Sequence, residues 1–255
     1  MVAIRGLDHF TKHFSEYKDD YVIVGGIASS ILLENVGITF RATKDIDLVI
    51  ITSESDSFSQ ALIDYIKLGG YQIAEKNEGK PRFYRFNKPS DDSFPVQLEI
   101  FHRKPEGIEL FEGQQIVPIA DPANDIGISA ILLDDEYFKL IRDNIVESDG
   151  VPTTSTLATI VLKAKAFLDL QERKNGGENI DTKQIKKHRS DVFRLAEGIV
   201  EGDKILLTDH PKKDMETFLE AMKSDPSLSA SYKGLRLNIK LDAALDILNE
   251  SLLGN

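Results

Sequence analysis

The segment from Tyr21 to Thr52 constrains this chain more than any other. A β-branched run, YVIV, closes on Gly25 and Gly26, a helix-like stretch follows from Ala28 to Glu34, and the chain returns as DIDLVIIT. The apolar run reads as a buried strand, and the glycines as its tight exit into the helix. In DIDLVI the two-residue period of a strand puts Asp45 and Asp47 on one face, roughly 7 Å apart along the chain, with Ile46, Leu48 and Ile50 on the other.

Two carboxylates that close repel unless a positive charge lies between them. A hard divalent cation such as Mg2+ is held by one or two carboxylates plus substrate phosphates, so Asp45 and Asp47 are candidate metal ligands. The pair is also compatible with two solvated aspartates at the start of an edge strand. A glycine turn entering a helix exposes backbone N–H groups with no Cβ to block approach, which suits a triphosphate, and Ser29 or Ser30 could add a hydroxyl. A plain tight turn needs the same glycines. Between these features the run Arg41-Ala42-Thr43-Lys44 sets two cations beside the carboxylates, to offset them or to contact phosphate. In PVQLEIF, alternation puts Val96, Leu98 and Ile100 on one face and Gln97, Glu99 and Phe101 on the other. If that strand lies beside DIDLVI, Glu99 completes a three-carboxylate cluster able to hold two metals and accept a proton from an attacking hydroxyl. Otherwise it is an exposed strand glutamate.

Around this nucleus, Leu7, Phe10 and Phe14 have helical spacing, and Phe58, Leu62, Tyr65 and Ile66 form a helical face ending at Gly69-Gly70. Tyr71 to Ala74, Arg82 to Phe86 and Val96 to His102 read as strands. From Ser155 onward the pattern is helical, at 156–172, 182–199, 211–223 and 237–253. The expected fold is therefore α/β (α+β), with a mixed sheet and flanking helices over residues 1–150 and a helical domain over 151–255 that contributes to the site. The net charge of −11 excludes sequence-blind binding to a phosphate backbone through a cationic coat, yet residues 151–200 hold nine Lys/Arg against six Asp/Glu. With no cysteine, a disulfide scaffold, a thiolate zinc site and a cysteine nucleophile are all excluded. There is no secretory-type start and no run of 18 apolar residues, so a soluble cytoplasmic protein with no membrane association is expected.

VGGIASSILLENVGITFRATKDIDLVI, followed at Leu98 to Phe101 by LEIF, resembles the nucleotidyltransferase-fold superfamily. Its signature is Gly-Gly or Gly-Ser, a helix, an Asp-x-Asp strand and a third acidic residue on a later strand. The wording RxTxDIDL from Arg41 to Leu48 is similar to the AbiEii/AbiGii-type toxin nucleotidyltransferases of abortive-infection and toxin-antitoxin systems, and to antibiotic-modifying members. LKAKAFLDL looks like the toxin family's helix motif, at Lys163, Ala166 and Phe167. KKHRSDVFRL looks like its last motif, at Lys187, His188, Asp191 and Leu195.

The likeness spans residues 21 to 195. It implies a nucleotidyltransferase-type N-terminal sheet and metal-dependent transfer of a nucleoside monophosphate from an NTP. Asp45, Asp47 and Glu99 would bind Mg2+ or Mn2+, with Asp45, Asp47, Glu99, Lys163 and Asp191 catalytic and Gly25, Gly26, Ser29, Arg41, Thr43 and Lys187 nucleotide-binding. The toxin branch implies an RNA end, such as that of tRNA, as acceptor and a cognate antitoxin as partner. The antibiotic-modifying branch implies a small aminoglycoside-like acceptor, and a non-catalytic nucleotide-binding module of the same fold is a further alternative. Two positions depart from the pattern: Gly26, where many members have Ser, and His188, where the toxin branch commonly has an acidic residue.

Periodicity alone says less about the helices. Leu157, Ile160, Val161, Ala164 and Leu168 make one apolar face, with Lys163 and Lys165 about equally far to either side, and only the resemblance prefers Lys163. Ile185, His188, Val192, Leu195, Ala196 and Ile199 form the next stripe, which makes His188 a satisfied core or boundary histidine. Lys187 and Asp191 are an i, i+4 pair at its edge, readable as a surface ion pair or as catalytic. His9 and His13 read as surface residues, His102 faces away from Glu99, and the Arg/aromatic alternation of Pro81 to Phe86, Arg85 included, suits a base-stacking strand or, more simply, the core side chains of a hairpin.

Overall fold

A computed structural model describes residues 4–52, 56–75, 81–103, 116–118 and 129–254. In chain order the elements are α1 (Leu7–His13), β1 (Tyr21–Val24), α2 (Gly25–Asn35), β2 (Asp45–Ile50), α3 (Asp56–Leu68), β3 (Gln72–Glu75), β4 (Pro81–Asn87), β5 (Gln97–Arg103), β6 (Ile116–Pro118), β7 (Ser129–Leu133), α4 (Asp135–Asp143), β8 (Ile145–Ser148), β9 (Val151–Thr154), α5 (Thr156–Asn175), α6 (Thr182–Ala196), α7 (Asp209–Ser224), α8 (Leu228–Lys233) and α9 (Leu241–Leu253). The fold is the α+β arrangement expected from the sequence.

β1 is buried along its whole length because both its edges and both its faces are covered. It lies in a mixed sheet of order β3-β4-β5-β2-β1-β9-β8, with β7 joined to β5 and β6 to β7. β2 runs antiparallel to β1 and parallel to β5, and this register sets the site. Asp47 stands opposite Val24 on one side and Glu99 on the other, and Glu99 stands opposite Arg85 on β4.

The alternation in β2 and β5 divides the sheet's surroundings. Ile46, Leu48, Ile50, Leu98 and Ile100 pack with Phe10, Phe14, Phe58, Leu62 and Tyr65 of α1 and α3 in one core. Val22, Val24 and Val49 face the other way and meet Phe138 and Ile141 of α4. A second large core is built by α5, α6, α7 and α9 around Ile160, Val192, Phe218 and Leu248. α2 joins the two, since Ile27 and Ile31 enter the sheet's core while Leu33 enters the helical one. A helix apolar on all sides has to be enclosed like this, and it explains why Ala28, Ser29 and Ser30 are buried with the larger residues.

Several boundaries differ from expectation. α2 starts at Gly25, so both glycines belong to its first turn rather than to a preceding loop. A domain division at residue 150 falls inside the β8–β9 hairpin. β9, rich in β-branched side chains, pairs with β1 and belongs to the sheet, so the helical region opens at Ser155, the N-cap of α5. α6 ends at Ala196, α9 starts at Leu241, and α8, α4 and β6 to β9 are further elements. The hairpin β3–β4 is present and Phe86 is a core residue, while the side chains of Arg82, Phe83 and Tyr84 lie outside the described residues. No helix among the described residues is long and apolar enough to cross a membrane.

Because Leu33 is fully buried where α2 enters the helical core, Leu33→Ala is expected to destabilise the protein by about 2–5 kcal/mol in urea unfolding. A loss below about 1 kcal/mol would show that α2 is not the joint between the two cores.

Candidate active site

β2 presents its carboxylates as the strand period requires. Asp45 and Asp47 are partly exposed on one face, while Ile46 and Leu48 are fully buried on the other. β5 lies beside it in parallel register and brings Glu99 next to Asp47, which meets the condition set on that strand, while the expected three-carboxylate metal cluster is absent among the described residues and Glu99 is paired instead with Arg85. Arg85 on β4 donates from its guanidinium to Glu99 Oε1 at 2.7 Å and orients that carboxylate. Burial, together with the neighbouring Glu99 and Asp45 charges, pushes the Asp47 carboxyl up to about 7, against the opposing pull of Lys163 and Lys187.

Among the described residues no group of three acidic, histidine or cysteine side chains forms a complete metal cage. The donor set still fits a hard cation completed by its substrate, because Mg2+ usually takes only one or two carboxylates and fills its shell with phosphate oxygens and water. A carboxyl raised by adjacent carboxylates is also the group that a bound cation would restore to its charged form.

The glycine turn touches this acidic row directly. Gly25 adopts φ +74°, and a Cβ placed on it would lie 2.0 Å from Asp47 Oδ2. Conformation and space therefore both require glycine there. At Gly26 a Cβ would lie 2.6 Å from Thr43 Oγ1, so the space a serine side chain would need is already held by the threonine hydroxyl. The N-cap of α2 is Val24, which offers no side-chain cap, and no acidic residue occupies the first turn. The first N–H groups of α2 are thus left without a capping side chain beside Asp47, as an anion site requires.

Ser29 departs from its expected role. It is fully buried and its hydroxyl donates to Gly25 O at 2.7 Å, which braces the turn from within the helix rather than facing a ligand. Ser30 is likewise buried, with its hydroxyl on Glu34.

Facing the carboxylates is a cluster of cations assembled from distant parts of the chain. Arg41 donates to both oxygens of Asp191, Nε to Oδ1 at 2.9 Å and Nη2 to Oδ2 at 2.7 Å. Lys163 Nζ, from the middle of α5, stands 3.3 Å from Asp191 Oδ2. Only 1% of the Asp191 side chain and 7% of that of Lys163 is exposed. Burial opposes the Asp191 charge, but the Arg41 hydrogen bonds and the Lys163 charge outweigh it and hold the carboxyl below its ordinary range. Burial lowers the ammonium of Lys163, while Asp191 and Asp47 act to keep it charged. Two cations share one carboxylate, so the cluster keeps a positive excess toward Asp47.

This arrangement decides alternatives that periodicity left open. Lys163 is the buried lysine of α5, whereas Lys165 turns to Asp169 and Asp214. Of the two readings of the Lys187 and Asp191 spacing, the surface ion pair does not form. Asp191 points inward to Arg41 and Lys163, and Lys187 is exposed, its charge acting on Asp47 and His188. Lys183, Lys186 and Lys187 share the exposed side of α6 without an acidic partner among the described residues. His188 is not a satisfied core histidine, because its Nδ1 is buried and has no hydrogen-bond partner. His9 is likewise no free surface residue, since it meets Tyr65 Oη at 3.0 Å and packs on Phe94, while His13 is exposed. His102 lies off the site with Nδ1 on Arg103 O. Arg85, read at first only as part of an Arg/aromatic alternation, is the residue that sequence reasoning missed; its role depends on the β4–β5 register, which has no local signal.

No protein-family model matches the chain, and no curated protein matches it. Among solved structures it is similar to the antibiotic-resistance factor ANT(2'')-Ia, at 15% identity and TM-score 0.39 over 90% of this chain and 92% of that one. It is also similar to the polyadenylate synthase of Megavirus, at 9% identity and TM-score 0.40 over 86% of this chain and 37% of the synthase.

Two outcomes follow from the electrostatics. Asp191→Asn leaves Arg41 and Lys163 without their anion and is expected to cost about 3–5 kcal/mol in chemical unfolding; a change under about 1 kcal/mol would contradict the buried triad. For Asp47 the folded pKa lies above the unfolded value, so the folded state binds this proton more tightly and stability falls as pH rises from roughly 4 toward 7. In metal-free buffer Asp47→Asn should therefore raise Tm above wild type at pH 8 and converge with it near pH 4, whereas equal Tm at both pH values would contradict the shift.

Proposed function

We propose that the protein is a nucleotidyltransferase that moves a nucleoside monophosphate from an NTP to an acceptor hydroxyl. The observation that carries the reading is the position of Asp47. It is in contact with the uncapped glycine turn of α2, neighboured by Glu99, and faced by Arg41 and the buried Lys163. An anion-binding turn, paired carboxylates and an excess of cations around one point are what phosphoryl transfer uses, since its catalysis is mostly positioning plus electrostatics.

In this reading Asp45 and Asp47 hold Mg2+ or Mn2+, which when bound neutralises triphosphate charge and polarises the phosphorus. The N–H groups at Gly25 and Gly26, with the Thr43 hydroxyl, receive phosphate oxygens. Lys163, Arg41 and Lys187 offset the charge of the leaving pyrophosphate. The acceptor oxygen bonds to the α-phosphorus, the bond from that phosphorus to the bridging oxygen of the β-phosphate breaks, and the proton of the acceptor passes to Glu99. Asp191 makes no contact with substrate; it positions Arg41 and Lys163.

For the acceptor we favour an RNA end. What supports it is the row of unpaired lysines at 183, 186 and 187 on α6, which leads away from the site on the helix that carries Asp191 and suits a polyanion. The place of the protein in a toxin-antitoxin or abortive-infection system, with a cognate antitoxin, rests on the resemblance of Arg41 to Leu48 and of the α5 and α6 motifs. An aminoglycoside-like acceptor would instead be drawn by the acidity of the rest of the chain, and binding to total tRNA across a salt titration against binding to an aminoglycoside separates the two.

Incubation with [α-32P]NTPs, Mg2+ and a cell RNA extract is expected to label RNA. Asp47→Ala should abolish that label while leaving the circular dichroism spectrum unchanged. Undiminished transfer by the variant would remove Asp47 from the chemistry.

A further inference from the structure

Among the described residues of the site region, His188 is a polar group for which the proposed reaction leaves no role. It lies three residues before Asp191 on α6, on the same helical face, within the field of Lys163 from α5, Arg41 from the segment before β2, and Lys187 and Asp191 from its own helix. Its Nδ1 is buried and makes no hydrogen bond. An unsatisfied buried nitrogen is a cost to the free protein, and such atoms occur where a ligand or a catalytic step makes use of them. A histidine kept only for packing would have been better satisfied by a backbone carbonyl or a carboxylate.

The company it keeps names the ligand. Burial first, then the charge of Lys163, holds the imidazole pKa at about 4, so near neutrality the ring is uncharged and carries one proton. A ring within the field of three cations and one already committed carboxylate is poised to meet an anion, and the anion of this site is the polyphosphate chain.

We propose that His188 is a phosphate-contacting residue of the nucleotide site, its Nδ1–H donating to an oxygen of the bound triphosphate beside Lys163. The inference rests on the nucleotidyltransferase reading and adds to it a neutral donor at a position where the resembled family commonly carries an acidic residue. A carboxylate there would repel the same phosphate or need a second cation; an imidazole does neither.

The test uses the full chain, Mg2+ and two probes, inorganic tripolyphosphate and each of the four NTPs, with Kd from calorimetry and Tm from thermal unfolding. His188→Leu keeps the volume and removes the donor; His188→Asn returns an N–H close to the position of Nδ1. Without ligand, His188→Leu should match or exceed the Tm of wild type, because an unsatisfied group has been replaced by an apolar one. With tripolyphosphate its Kd should weaken about tenfold, while His188→Asn stays within about threefold of wild type. Unchanged tripolyphosphate affinity in His188→Leu overturns the proposal, as does a lower unliganded Tm, which would mark the residue as structural. Weakened NTP binding with intact tripolyphosphate binding places the contact on the nucleoside and also overturns it. If wild type binds neither tripolyphosphate nor any NTP, it is the nucleotidyltransferase reading itself that fails.

Discussion

The carboxylate of Asp191, buried between Arg41 and Lys163, is the interaction on which the rest of the site depends. It ties the segment leading into β2, the middle of α5 and the last turns of α6 to one point, and so fixes the helical region against the acidic strands at the centre of the sheet. It also sets the charge of the cleft. Without Asp191, the Lys163 charge would be left to act on Asp47 alone. With it, the cations are held back and the carboxylates stay open. The desolvation cost of such a triad makes it weak evidence for stability as such. Its use here is positional, since it holds Arg41 and Lys163 on Asp191 rather than on Asp47.

The second constraint is steric. Gly25 brings backbone within contact of the Asp47 carboxylate, and Gly26 leaves room for the Thr43 hydroxyl. A serine at position 26, as in many members of the resembled superfamily, would collide with Thr43. The Thr43 hydroxyl, two residues ahead of Asp45, occupies that space instead. Ser29, which looked like a second hydroxyl for the same purpose, is used instead to hold the carbonyl of Gly25.

How much of this was legible depended on distance along the chain. The opposed faces of DIDLVI and of LEIF follow from the period of a strand and were readable directly, as was a helix after the glycines, though not its start at Gly25 itself. The pairing of those two strands was legible only as a condition, because register is set by the whole sheet. Lys163 and Lys165 could not be told apart, since both flank the apolar stripe and the choice belongs to a partner elsewhere. The spacing of Lys187 and Asp191 left two readings open for the same reason: an i, i+4 geometry permits a pair, but the bidentate guanidinium of Arg41, 150 positions away, is a stronger partner and turns Asp191 inward. Arg85 and the orphaned nitrogen of His188 are tertiary facts with no local pattern.

The central claim is that Asp45 and Asp47 hold a cation against a triphosphate seated on the glycine turn. Crystals grown with Mn2+ and a non-hydrolysable NTP analogue test it most directly, because the anomalous signal locates the metal independently of any activity. The account predicts Mn2+ bound by the Asp45 and Asp47 carboxylates and bridged to phosphate oxygens lying over Gly25 and Gly26, with Lys163 on the far side of the chain of phosphates. Metal bound elsewhere, or a nucleotide whose phosphates lie away from this turn, would contradict it.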